Sequence, residues 1–249
     1  MRLFNSFLPW LYLAAGGYAG SLLFFALGKK RFSLTLLWCG FAANTGAILL
    51  RGWHFGLFTP LNMVSEQYFL PWCLAALTLW RASKKRASAS DAAGVAPVFL
   101  LILIALFLPA RTIPPSPQSS TLFAPLFFLC EVMSHALLLL GGWSALLFLM
   151  RHPAEESFSR YAVWGFILYS IAQVIGAVWS WMGWAVPFHW SERHLSSAAI
   201  WCFYCAFLHL RFSPRWSARE KAWFALCGAV LTFVSTYGYY LSAVVVKHG

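Results

Sequence analysis

Long apolar runs leave this chain few folds to choose from. Eight lie near residues 8–27, 34–50, 66–80, 94–110, 131–150, 161–181, 195–210 and 222–246. Most match the ~17–25 residues that a helix needs to cross a bilayer. The third is short and draws apolar residues from the segment before it. Lipid offers no partner to a free backbone N–H or C=O, so these runs form helices and not open sheets. The composition agrees, with 61% of the 249 residues hydrophobic and only 10% charged, where a soluble domain carries about a quarter charged residues. The expectation is an all-α polytopic membrane protein: one domain over residues 1–249, about eight transmembrane helices, and no sizeable soluble domain.

The first run follows a single Arg and lacks a small-x-small cleavage pattern, so it reads as a retained helix and not a signal peptide. The six cysteines lie in or beside apolar runs, which is no disulfide framework. Cys202 and Cys205 form a C-x-x-C within a helical run and read as packing residues. No C-x-x-C-H occurs, so the chain is not itself a c-type cytochrome.

A net charge of +11 would suggest nucleic acid in a soluble protein. Here the basic residues fall in clusters between apolar runs and report topology instead. Lys29, Lys30 and Arg31; Arg81, Lys84, Lys85 and Arg86; Arg151 and Arg160; and Arg211, Arg215, Arg219 and Lys221 make 13 of the 18. The alternate loops hold only Arg2, Arg51, Arg111, Arg193 and Lys247. This bias places both termini on the non-cytoplasmic side of a bacterial cytoplasmic (inner) membrane, with no nucleic acid partner. Loops 51–65, 111–130 and 182–194 then face outward. The second opens on Pro and Ser breakers, and its apolar piece TLFAPLFFLC reads as a segment lying along the interface. Residues 83–92 read as a flexible cytoplasmic loop.

The stretch 176–201 holds five of the 14 tryptophans: Trp179, Trp181, Trp184, Trp190 and Trp201. It forms a Trp-rich external loop between helices 6 and 7. Indoles favour membrane interfaces, being apolar bodies with a polar N–H, so padding and a ligand platform are both open readings. The ionisable candidates are the histidines. His135 opens the fifth helix about one turn past Glu131, and His209 closes the seventh. His248 lies just beyond the eighth; His54, His189 and His194 face outward and His152 inward. Imidazoles from two helices can bind one haem iron axially. His135, His248 and the tryptophan stretch share the outer face; hydrogen-bonded packing is the plain alternative for each histidine. Glu131 is either exposed at the interface or partnered, since a lone carboxylate in lipid is costly.

In this order the residues resemble the cytochrome c assembly family (CcsA, also called ResC, with CcmC and CcmF as relatives). GAVW stands at 176–179, Trp184 at the next expected Trp, Trp190 at the family's WSWD and Trp201 in the following helix. His209 matches the LH that ends that helix. SHALLLLGGW resembles the family's helix-start histidine, and GLFTPLNMVSEQ its G-x-x-P…N…E loop through Pro60, Asn62 and Glu66. His248 falls near the last outer histidine. Four positions depart. The family's H-T-x5-R on helix 2 reads Asn44-Thr45 with Arg51 here, its WSWD aspartate is Ser191, the glycine after Trp184 is Ala185, and the next Trp is Phe188.

The resemblance implies a protein that moves haem b to the outer face for attachment to an apocytochrome c, as part of a holocytochrome c synthase (haem lyase) with a ResB/CcsB-like membrane partner. His135 and His248 would ligate the iron, and Trp179, Trp184 and Trp190 would hold the ring. His209 would match an intramembrane iron ligand, whose partner imidazole Asn44 removes. Arg193 suits a haem propionate, since guanidinium binds carboxylate through a fork. Two other functions share this pattern: a HemX-like, non-catalytic membrane regulator or assembly factor, and a haem-bearing anchor of a respiratory complex.

Overall fold

The computed structural model describes residues 7–56, 58–60, 63–83, 94–107, 121–150 and 157–248. Among these, every regular element is an α-helix. They are α1 (Leu8–Ala26), α2 (Lys30–Phe55), α3 (Met63–Ala82), α4 (Val95–Phe107), α5 (Phe123–Leu149), α6 (Ser157–Trp184), α7 (Glu192–Arg211) and α8 (Ala218–His248). Asn62, Lys84, Lys85, Arg86, Arg111, Arg151, His152, most of the 83–92 segment and the first half of the 111–130 loop lie outside the described residues.

The chain forms two compact units, Met1–Pro114 and Pro115–Gly249. In the first, α1 packs along α2, α2 on α3, α3 on α4 and α4 back on α1. In the second, α5 packs along α6, α6 on α7, α7 on α8 and α8 back on α5. Each ring of four therefore closes in the same pairing order.

Close approach of small residues fixes the α1–α2 pair. A Cβ on Gly17 would stand 2.7 Å from the Gly40 Cα, so these backbones touch with no side chain between them. In lipid, such contact and interhelical hydrogen bonds replace the hydrophobic drive. Ser21 supplies one, donating from Oγ to the Ser33 carbonyl at 2.8 Å. The second unit is filled by larger groups, with Leu138, Phe158, Tyr169, Ile200, Tyr204 and Phe207 in its core and Phe203 stacked on Phe224 at 4.4 Å. α8 opens on a capping box, in which Ser217 N–H and Oγ–H donate to Glu220 Oε2 and Glu220 N–H returns to Ser217 Oγ. Those donors hold the Glu220 carboxyl below its usual range.

Two boundaries differ from the sequence expectation. α2 continues to Phe55, so Arg51 is a buried helical residue with its guanidinium 4.9 Å over the Tyr68 ring, and not part of an outward loop. α5 begins at Phe123, so TLFAPLFFLC is mostly its first two turns and not an interfacial strip. Pro125 lies in the first of these turns. There its missing N–H has no helical partner to lose. His135 consequently lies more than three turns inside α5.

Four described helices are long and apolar enough to cross a membrane: α1, α2, α5 and α6. α4 is apolar but has 13 residues, and α3, α7 and α8 carry charges near their ends. α6 shows an exposed apolar stripe through Ile167, Ile171, Val174 and Val178, bounded by Trp164 and Trp181. Those indoles stand 17 residues apart, about 26 Å of helix rise, close to the ~30 Å hydrocarbon core. The chain is an integral membrane protein.

Gly16 and Gly17 separate packing from propensity. Ala at Gly16, where a Cβ meets open space, should hold or raise the Tm in detergent, since Ala exceeds Gly by up to ~1 kcal/mol in a helix. Ala at Gly17 should lower it, overpacking costing about 1–3 kcal/mol. Equal shifts would show that the α1–α2 contact is loose.

Candidate functional site

At one end of the second unit, the C-terminal turns of α6, residues 185–191, the first turn of α7 and the early turns of α5 come together. Gly176, the glycine of GAVW, permits the first contact. A Cβ there would lie 2.8 Å from the Phe127 ring, so its absence lets α5 press an aromatic against α6. Trp179, one turn on, packs at 5.9 Å from both Phe127 and Phe128. Trp184 follows edge-on to Trp179 at 5.5 Å. Trp179, Trp181 and Trp184 are thus helical, and Trp190 alone of the predicted platform lies in the connection, 86% exposed. Trp179 belongs to a packed cluster with Phe127, Phe128 and Ala172. Trp184, Phe188 and Trp190 do present exposed aromatic surface.

Ala185 ends α6 with φ +58, in the left-handed region. Its N–H still donates to the Trp181 carbonyl at 2.8 Å, as a helix terminus requires. This is the position where the resemblance calls for glycine, and the backbone shows why. Ser180 Oγ donates to the Val186 carbonyl at 2.7 Å and folds the connection back onto α6. Ser191 then caps α7, its Oγ accepting from the His194 N–H. Ser and Asp are about equally good N-caps, so Ser191 keeps the capping role that an aspartate would fill there.

Arg193 reaches from the first turn of α7 to α5. Its Nη2 donates to Glu131 Oε2 at 2.7 Å, with the two side chains 29% and 5% exposed. The guanidinium also lies 5.4 Å and 5.2 Å from the Phe127 and Phe128 ring centres, within cation–π range. Of the two readings of Glu131, the partnered one holds.

His135 is buried on α5, 5% exposed, with its ring 5.7 Å from that of Tyr169. Its Nδ1 lies 3.4 Å from Thr236 Oγ1 on α8. That hydroxyl donates its one proton to the Thr232 carbonyl at 2.9 Å, so toward His135 it can only accept. A proton on Nδ1 would complete this contact and leave the Nε2 lone pair to a metal. Thr236 was not singled out in the sequence. It lies 101 residues from His135 and looks like any helical threonine.

The other predicted residues sit apart. His209 is exposed in the last turn of α7, its Nδ1–H donating to the Cys205 carbonyl at 2.8 Å. The His248 side chain lies outside the described residues, and its backbone ends α8. That is 12 residues past Thr236, or about 18 Å of helix rise, so the helix does not bring it beside His135. In the first unit, Asn44 is fully buried, with Nδ2 3.5 Å from the Tyr18 hydroxyl. Cys202 and Cys205 are free. The structure also pairs two histidines that sequence spacing did not, His189 and His194, whose ring centres lie 5.5 Å apart. Burial, His189 and Arg193 lower the pKa of His194 below its ordinary value.

Ala185→Gly should stabilise the protein by about 1 kcal/mol, because a non-glycine residue in the left-handed region costs roughly that much. A raised Tm in detergent checks it, and a lowered one would refute the strain. Arg193→Gln should destabilise more than Glu131→Gln, since it strips a buried carboxylate of its cation, whereas a half-exposed guanidinium can turn to water. Breaking buried pairs costs about 3–5 kcal/mol. Equal losses in the same melts would count against burial of Glu131.

No family model matches the chain. Over 74 residues it is 31% identical to the cytochrome c biogenesis protein CcsA of Prochlorococcus marinus (strain MIT 9515), covering 30% of this chain and 24% of the relative. It is 35% identical over 74 residues to CcsA of Prochlorococcus marinus (strain MIT 9303), covering 30% and 23%. The matched stretch is thus about a quarter of the relatives' length. Among solved structures, the fold resembles cytochrome c heme lyase CcmF with a TM-score of 0.71 at 17% identity, over 95% of this chain and 47% of that one. Over part of its length the chain is thus similar to cytochrome c biogenesis protein CcsA, and its fold resembles that of cytochrome c heme lyase CcmF.

Proposed function

We propose that the chain is a haem-handling subunit of cytochrome c biogenesis, presenting haem b at the outer face of a bacterial cytoplasmic membrane for attachment to an apocytochrome c. The observation that carries this reading is the buried His135 with Thr236 Oγ1 beside its Nδ1. Thr236 would accept from Nδ1–H, and Nε2 would then serve as a neutral ligand. Second-partner hydrogen bonds of this kind orient metal-binding histidines and raise their basicity.

The surrounding residues fit a haem. His135 would hold the iron, and the indoles of Trp179, Trp184 and Trp190 would flank the macrocycle. Arg193 engages Glu131 through Nη2, and a guanidinium has five donors, so it can keep that partner while offering others to a propionate. When bound, haem would supply the vinyl groups that join the thiols of a C-x-x-C-H apoprotein. The chain's own contribution is positioning and not acid–base chemistry. A ResB/CcsB-like membrane subunit would hold the apocytochrome. His248 as a second ligand would require the last turns of α8 to leave their helical path, and His209 would act at a separate intramembrane position.

The protein purified after growth with ample haem precursor should show a Soret band. His135→Ala should abolish or shift it. Thr236→Val should keep the band but weaken haem retention about 10–100-fold, the usual cost of a lost supporting partner. His248→Ala, made singly, reads whether the end of α8 contributes. Absence of the band in the unmodified protein would overturn the proposal.

The HemX-like regulator remains a second reading, favoured by Asn44, whose amide is hydrogen-bonded to Tyr18 and is no ordinary iron ligand. Deleting the gene separates the two readings. Covalent c-type cytochromes should vanish under the first and persist under the second.

A further inference from the structure

Two imidazoles stand outside the group assigned to haem. His189 lies in the connection after α6 and His194 in the first turn of α7. Both are half-buried, with ring centres 5.5 Å apart and planes inclined at 57°. Metal–nitrogen bonds of about 2.0–2.1 Å put each ring centre roughly 3.2 Å from the ion. Two such rings at a tetrahedral angle lie about 5.2 Å apart, whereas two rings trans across a haem iron lie more than ~6 Å apart. The observed spacing fits the tetrahedral arrangement and is too short for the axial one.

We propose that His189 and His194 form a site at this end of the second unit for one divalent transition metal of the zinc–copper class. The proposal stands apart from the haem reading, because neither residue is assigned there. Imidazole is a preferred ligand for both ions. Ser191 Oγ lies 2.9 Å from His194 Nδ1; where that nitrogen carries the proton, the contact orients the ring and leaves Nε2 to the metal. Trp184 stands edge-on to His189 at 6.2 Å, and Phe188 edge-on to His194 at 5.3 Å, so aromatic walls restrict both rings. Among the described residues no third His, Cys, Asp or Glu completes a set. The remaining positions therefore belong to water or to an added ligand. An ion here would tie residues 185–191 to α7 and fix the exposed indoles of Trp184 and Trp190.

The test uses the full chain in detergent, purified through a tag without histidine and titrated with copper(II) chloride. One equivalent should bind, with nitrogen couplings from two imidazoles in its electron paramagnetic resonance spectrum and quenching of tryptophan fluorescence. His189→Phe keeps the aromatic packing and removes the nitrogen. Both it and His194→Ala should weaken binding at least about tenfold, the lower limit for losing even a supporting partner in metal sites. His135→Ala should leave the copper affinity unchanged. Binding that survives loss of His189 and His194, or that shows no nitrogen coupling, would overturn the proposal and leave the two rings as packing residues. The copper measurements use the haem-free protein, so failure of the haem reading does not alter their outcome.

Discussion

The buried carboxylate of Glu131 is the constraint on which the rest of the site depends. A charge inside an apolar helix is costly unless it meets a partner, and the partner comes from another helix, as Arg193 at 2.7 Å. That demand anchors the first turn of α7 against α5. Once α7 is anchored, the seven residues between it and α6 have little choice of path. They fold back through the Ser180–Val186 hydrogen bond and enter α7 through the Ser191 cap. Phe127 and Phe128 lie beneath the guanidinium and beside Trp179, so the same ion pair also seats the aromatic cluster.

Seen this way, the positions that depart from the family pattern differ in their physical cost. Ser191 loses a negative charge but retains the cap, because a hydroxyl and a carboxylate accept the same N–H. Ala185 retains the turn at the expense of a strained backbone. Phe188 loses an indole yet still lines His194. Asn44 is the exception, since an amide buried against a tyrosine hydroxyl takes over none of the chemistry of an imidazole. The substitutions near α6 and α7 therefore keep their local backbone roles, and Asn44 does not replace an imidazole.

The helical fold class was legible from the apolar runs, because lipid permits little else. The helix ends were less so. TLFAPLFFLC, following Pro and Ser breakers, read as an interfacial strip, although a proline such as Pro125 in the first turn of a helix breaks no bond. Arg51 read as a topological charge, although a long side chain can bury itself over an aromatic ring. Within the site, the sequence exposed the residues that carry unusual chemistry: Trp179, Glu131, His135 and Arg193. It concealed the residues that orient them. Thr236 acts across 101 positions. His189 and His194 are five residues apart, a spacing that no regular helix face brings together, and only the turn around Ser191 makes them neighbours.

The arrangement also bears on how firmly a large cofactor would be held. Two axial imidazoles from rigid helices make a permanent haem site, as in b-type membrane cytochromes. Here α5 and α8 meet at His135 and Thr236, and the helical path of α8 carries His248 about 18 Å further on. The bundle thus fixes the His135 imidazole, while exposed indoles and the Arg193 guanidinium stand elsewhere in the same unit. Those groups contribute contact area and charge without a second metal bond. A ligand held by one strong bond and several weak contacts leaves more readily than one clamped on both faces, because affinity differences between related complexes reside mainly in the dissociation rate. On the haem reading proposed above, a single imidazole fixed between α5 and α8 suits cargo better than a fixture.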